Sequence, residues 1–163
     1  MSYKVALKIL PLIERRISLE ELSSKLAVSR ATVKRYVKAL SEKGLIKEAL
    51  PEVYELSELG RLFIESIKSR LPGLLSDEQA YVFTDPVTSA PLQLKARSIQ
   101  QLYVILKYRL IPGEVFLEHL NKGYISQWLE GSVKDSYLAT LLKKAGSLED
   151  AVKILEEYIS TLS

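Results

Sequence analysis

The sequence contains no cysteine and a single histidine, His119, in 163 residues. Without thiols there is no disulfide scaffold, zinc ribbon, iron–sulfur ligation or thiol catalysis, and one imidazole gives no cluster for zinc or copper. Long hydrophobic runs are also missing. The longest, such as Leu102 to Leu106, spans five residues, far short of the roughly 18 needed to cross a bilayer. Lys4 and Lys8 interrupt the N-terminal apolar stretch, so no signal-peptide core forms, and a cytoplasmic protein with no membrane partner is expected. One Met and one Asn beside many Leu, Ile, Lys and Glu point to a thermophilic source. What is present is a composition 47% hydrophobic, enough for a real core and incompatible with global disorder.

The net charge of +3 hides an asymmetry. Residues 1–70 hold 14 Lys and Arg against 9 Asp and Glu, whereas residues 71–163 hold 9 against 11. A basic first part suits a polyanion, and a near-neutral second part rich in Leu, Ile and Tyr suits protein or small-molecule contacts. The Leu71-Pro72-Gly73 punctuation places the division near residue 72, giving expected domains 1–72 and 73–163.

Apolar Val5, Leu7, Ile9, Leu10 and Ile13 predict a first helix over residues 3–15, kinked at Pro11 or split there into two. Ser18 and Glu21 form a capping box ahead of Leu19, Leu22 and Leu26, giving a second helix. Ser29 caps a third, Arg30 to Lys43, stopped at Gly44. On a helical projection Val33, Tyr36, Val37 and Leu40 make one apolar stripe, and Ala31, Lys34, Arg35, Lys38 and Glu42 collect opposite. A short helix, a tight turn and a longer helix with a basic outer face is the helix-turn-helix arrangement. Leu45-Ile46 then reads as a strand, Glu48 to Glu52 as a turn, Val53 to Leu56 as the returning strand, and Ser57 as the cap of a fourth helix to about Leu71.

The stretch Ser29-Arg30-Ala31-Thr32-Val33, the exit Lys43-Gly44-Leu45-Ile46, and Tyr54-Glu55-Leu56-Ser57-Glu58-Leu59-Gly60-Arg61 together resemble winged-helix transcription regulators of bacteria and archaea. The resemblance covers about residues 5–70. It implies that Ser29, Arg30, Ala31, Thr32, Lys34, Arg35 and Lys38 occupy positions that touch double-stranded DNA. One departure stands out: the wing tip has Glu48 and Glu52, with only Lys47 nearby, where many relatives carry Arg or Lys for the minor groove. The wing is therefore expected to pack or to meet a backbone only weakly.

In the second part, Tyr81 to Thr84 and Leu92 to Lys95 read as strands. Ser98 with Gln101 caps a helix through Leu110, Pro112 opens one over Glu114 to Asn121, and Ser126 to Glu130 forms a helical turn. Asp135 to Lys144 is a further helix, and Ser147 with Asp150 begins the last, through Ile159. The runs Phe83-Thr84-Asp85-Pro86 and Ile111-Pro112-Gly113-Glu114, with Trp128-Leu129, resemble an uncharacterised domain of bacteria and archaea, which implies no activity. His119 is a conceivable ligand or base, but a packed structural histidine is the commoner outcome. Tyr103, Tyr108, Tyr124, Trp128 and Tyr137 either line a ligand pocket or pack as core. No phosphate-loop, dinucleotide-binding or nucleophile-elbow motif occurs, so neither an enzyme nor a cofactor is expected.

The expected fold is mainly α: a winged helix-turn-helix with a three-helix core and short hairpin wing, then a helical domain with at most one small β-hairpin. The expected function is sequence-specific binding of double-stranded DNA by a homodimeric transcription regulator, with a small-molecule or protein effector acting at the second domain. The competing reading is a protein-interaction module whose winged helix docks on a protein complex.

Overall fold

Serine hydroxyls punctuate the first unit as the capping boxes foretell. Ser18 accepts from the Glu21 amide at 3.1 Å and Ser29 from the Thr32 amide at 3.2 Å, starting α2 (Leu19–Leu26) and α3 (Arg30–Glu42). The computed structural model describes residues 3–70 and 73–160, which divide into two compact units, Met1–Lys68 and Ser69–Ser163. Pro11 ends α1 (Tyr3–Ile9) in a turn of 3-10 helix, Leu10–Leu12, so the first helix is split rather than bent. A two-residue strand β1 (Ile17–Ser18), absent from the sequence reading, pairs antiparallel with β3 (Val53–Leu56), and β3 pairs with β2 (Ile46–Leu50). The sheet order is β1-β3-β2.

The apolar stripe of α3 is in the core except for Tyr36, which is only half-buried. Val33 and Leu40 are fully buried and Val37 nearly so, with Leu19, Leu22, Leu10 and Phe63. Burying each such side chain contributes about 1.5–3 kcal/mol. Tyr3 stacks on Phe63 with centroids 5.5 Å apart, and the Lys43 ammonium lies over the Tyr3 ring. Ser57 fastens α4 (Glu58–Ser69) to the end of α3: its hydroxyl donates to the Gly44 carbonyl and accepts from the Gly60 amide at 3.0 Å.

The wing departs from its expected dimensions. β2 continues through Leu50, and the turn is reduced to Pro51 and Glu52. Proline presets the first turn position, and Glu52 takes φ +58° at the second.

The second unit is mainly helical around one hairpin, β4 (Tyr81–Thr84) and β5 (Pro91–Ala96). Its helices are α5 (Ile99–Lys107), α6 (Gly113–Asn121), α7 (Tyr124–Trp128), α8 (Ser136–Leu142) and α9 (Leu148–Ile159). The expected helix through Leu110 stops at Lys107, because Arg109 turns left-handed at φ +51°. Ahead of β4 lies a single 3-10 turn, Asp77–Gln79. After α7 the backbone widens into a π-helical turn, Leu129–Val133, ended by Lys134 at φ +65°. Asp135, completely buried, caps α8 by accepting from the Leu138 amide, accepts from the Tyr158 hydroxyl at 2.6 Å, and pairs with Arg70 at 3.6 Å. Among the described residues no helix is long and apolar enough to cross a membrane.

Candidate nucleic-acid interface

The outer face of α3 follows from its inner one. With Val33, Val37 and Leu40 turned into the core, Ala31, Lys34, Arg35 and Lys38 fall at the helical spacing i, i+3, i+4, i+7 on the opposite side, all exposed. Lys34, Arg35 and Lys38 make no ion pair with any described residue. The result is one small residue and three uncompensated cations along about two turns, a surface that lets a backbone come close and meets it with positive charge.

The remaining candidates gather at the start of the same helix and are already engaged. The Ser29 and Thr32 hydroxyls lie 2.9 Å apart and share a hydrogen bond, so they close the first turn. Arg30 donates through Nη1 to Glu20, in the first turn of α2, and through Nη2 to Glu52, at the wing turn. Hydrogen bonding to Glu52, then the charges of Glu52 and Glu20, raise the guanidinium's pKa above its ordinary value. The structure thus separates the seven residues into a free stripe (Ala31, Lys34, Arg35 and Lys38) and a braced helix start (Ser29, Arg30 and Thr32). Glu20 and Glu52, the partners of Arg30, were not legible as such; they lie 10 and 22 residues away, beyond any local pattern.

The wing offers no free cation. Lys47 and Arg16 both reach Glu55, each at 3.3 Å, and these hydrogen bonds, that of Lys47 foremost, hold the Glu55 carboxyl below its usual value. The wing tip packs inward: the Leu19 amide donates to the Glu52 carbonyl at 2.9 Å, and the Glu52 amide to the Glu48 carboxylate at 2.9 Å.

In the second unit His119 is buried and partnered within the fold. Its Nδ1 meets the Tyr81 hydroxyl and its Nε2 lies 3.0 Å from the Thr84 carbonyl. Nε2 also lies 3.2 Å from the Thr84 hydroxyl and 3.3 Å from the Thr84 amide, so the ring ties α6 to β4. Tyr81, Phe83 and Tyr124 pack against the ring, and Phe83 and Trp128 against Tyr81, with centroids 4.9–5.8 Å apart. Trp128 donates to the Gln79 carbonyl at 2.8 Å. Tyr81, Trp128 and Tyr137 are core, whereas Tyr108 and Tyr124 are exposed. No group of three His, Cys, Asp or Glu able to hold a metal occurs among the described residues.

Residues 6–74 match the family model of the HTH domain. The match spans most of the first unit, its basic helix face included, and supports a helix-turn-helix DNA-binding regulator. No curated protein and no solved structure matches the chain.

Proposed function

We propose that the chain is a transcription regulator that binds double-stranded DNA sequence-specifically, with α3 as the recognition helix. The observation that carries this reading is the unpaired basic stripe of Lys34, Arg35 and Lys38 on the second helix of a helix-turn-helix whose other face buries Val33, Val37 and Leu40 in the core. An α-helix of this kind fits the major groove, where phosphates attract such cations and base edges are read. Ala31 lets the helix start approach closely, and Ser29 and Thr32 hold the first turn in shape. No cofactor enters this function, and no catalytic step is part of it.

One winged helix presents few cations, so two copies are needed for a specific operator. The proposal therefore includes a homodimer joined through residues 73–163, the domain at which a small-molecule or protein effector also acts. Two recognition helices related by a two-fold axis would lie about 34 Å apart. Sedimentation of the full chain at micromolar concentration should then show a dimer.

Binding of genomic DNA fragments, followed by mobility shift and anisotropy at several salt concentrations, tests the assignment. Reversing Arg35→Glu with Lys38→Glu should abolish binding while shifting stability by no more than about 0.5 kcal/mol, because neither side chain touches the core. A variant that melts like the parent and still binds equally tightly would sink the recognition-helix assignment. The wing, with every cation paired, favours one other reading: docking of the first unit on a protein partner. That reading is preferred if the parent binds no duplex at low salt.

A further inference from the structure

Three segments of the chain converge on Arg30: the first turn of α2 with Glu20, the wing turn with Glu52, and the start of α3. The two terminal nitrogens of the guanidinium each donate to a different carboxylate. These are the donors with which a guanidinium also grips a phosphate. Arg30 is thus the one cation among the seven candidates whose phosphate-binding edge is already filled, while Lys34, Arg35 and Lys38 stand free on the same helix.

The wing turn is built around this contact. Glu52 sits at φ +58°, a left-handed conformation that glycine adopts most easily, directly after Pro51. Glycine there would relieve the backbone but carry no carboxylate. The turn is also tied down on both sides, by the Leu19 amide on the Glu52 carbonyl and by the Glu48 carboxylate on the Glu52 amide. The Glu52 side chain is aimed at Arg30 by its backbone rather than meeting it by chance on a mobile loop.

We propose that Glu52 is an internal substitute for a DNA phosphate, withholding Arg30 from duplex in general and so acting as a specificity determinant. The proposal rests on the DNA-binding function above and refines it. Non-specific affinity comes from phosphates neutralised by cations, each adding about 0.9 to the slope of log affinity against log salt. A cation held by an internal carboxylate adds nothing to that term. Arg30 can exchange Glu52 for a phosphate only when the rest of the recognition helix is seated and its base contacts offset the lost pair. The clamp therefore weakens binding to random sequence more than binding to the operator, discriminating by a built-in penalty rather than by a new attraction.

The test is Glu52→Gln in a Glu20→Gln background, which keeps the size of both side chains and leaves Arg30 with no carboxylate once Glu52 is changed, measured by anisotropy on a random-sequence duplex across a salt series. One released phosphate contact should tighten binding roughly tenfold at about 50 mM salt and steepen the slope by about 0.9. In an Arg30→Gln background the same substitution should gain less than about twofold, with no change in slope. Glu52→Gly, which also frees the strained backbone, should melt no lower than the parent and show the same gain. The proposal is overturned if Glu52→Gln leaves affinity and slope unchanged while the parent binds. It is equally overturned if the gain is the same with and without Arg30, since Glu52 would then act only by repelling DNA. Absence of binding by the parent and every variant at low salt would instead overturn the DNA-binding function itself, and this proposal with it.

Discussion

Gly60 occupies a place in α4 where a side chain has no room. A Cβ there would lie 2.1 Å from the Leu45 carbonyl oxygen and 3.1 Å from its carbon. That oxygen accepts from the Ser57 amide at 3.1 Å, and Gly60 itself donates to the Ser57 hydroxyl at 3.0 Å. In Gly60→Ala the first turn of α4 or the start of β2 must move by about an ångström, because backbone rather than a flexible side chain is in the way. Two hydrogen bonds at about 1 kcal/mol each are lost or stretched, and overpacking adds about 1–3 kcal/mol. Alanine's better helix propensity returns about 1 kcal/mol. The net loss is about 2–4 kcal/mol, which at about 4–8 °C per kcal/mol for a unit of this size lowers the midpoint by about 8–32 °C. Thermal melting of the full chain followed by far-UV circular dichroism reads this directly. Fluorescence of Trp128, the sole tryptophan, reports the second unit separately. An unchanged or higher midpoint for Gly60→Ala would refute the steric reasoning and leave helix propensity as the stronger effect.

Two further outcomes are expected. Asp135→Ala strips acceptors from the Leu138 amide and the Tyr158 hydroxyl and leaves Arg70 unpaired; it should cost about 3–5 kcal/mol in urea titration, and a loss below about 1 kcal/mol would show that the buried network contributes little. Burial, and for Tyr158 the neighbouring Asp135 charge, pushes the Tyr81 and Tyr158 phenols above their ordinary pKa, so the unfolded chain loses these protons first. Their contribution to stability is complete below about pH 10, where unfolded tyrosine titrates, and falls as pH rises beyond it. Tyrosinate absorbance from these two residues should appear together with unfolding, and their titration with the circular dichroism signal intact would contradict it.

The caps were legible because capping is local. Ser18 with Glu21, Ser29 with Thr32, Ser98 with Gln101 and Ser147 with Asp150 all lie three residues apart, and each serine accepts from that amide. The free stripe of α3 was legible for the same reason, since helical periodicity alone separates Val33 and Val37 from Lys34 and Lys38. What escaped depends on distant partners. Ile17 and Ser18 are a strand only because Tyr54 and Val53 lie beside them, and two residues carry no alternation of their own. The end of α5 at Lys107 rests on a left-handed Arg109, a residue type with no preference for that conformation. Arg30 looked like the other cations of α3, and only the meeting of α2 with the wing turn distinguishes it.

Ser57 has a consequence for how such a chain can change over generations. By joining the Gly44 carbonyl to the Gly60 amide, it closes a neck through which residues 45–56 leave and re-enter the helical core. An insertion at the Pro51-Glu52 turn lies beyond that neck, and because loop closure grows costlier only slowly with length, the helices would tolerate it. Such an insertion would still carry Glu52 away from Arg30. Hairpin length and the Glu52–Arg30 pair are therefore coupled: a longer turn would leave the arginine with Glu20 alone.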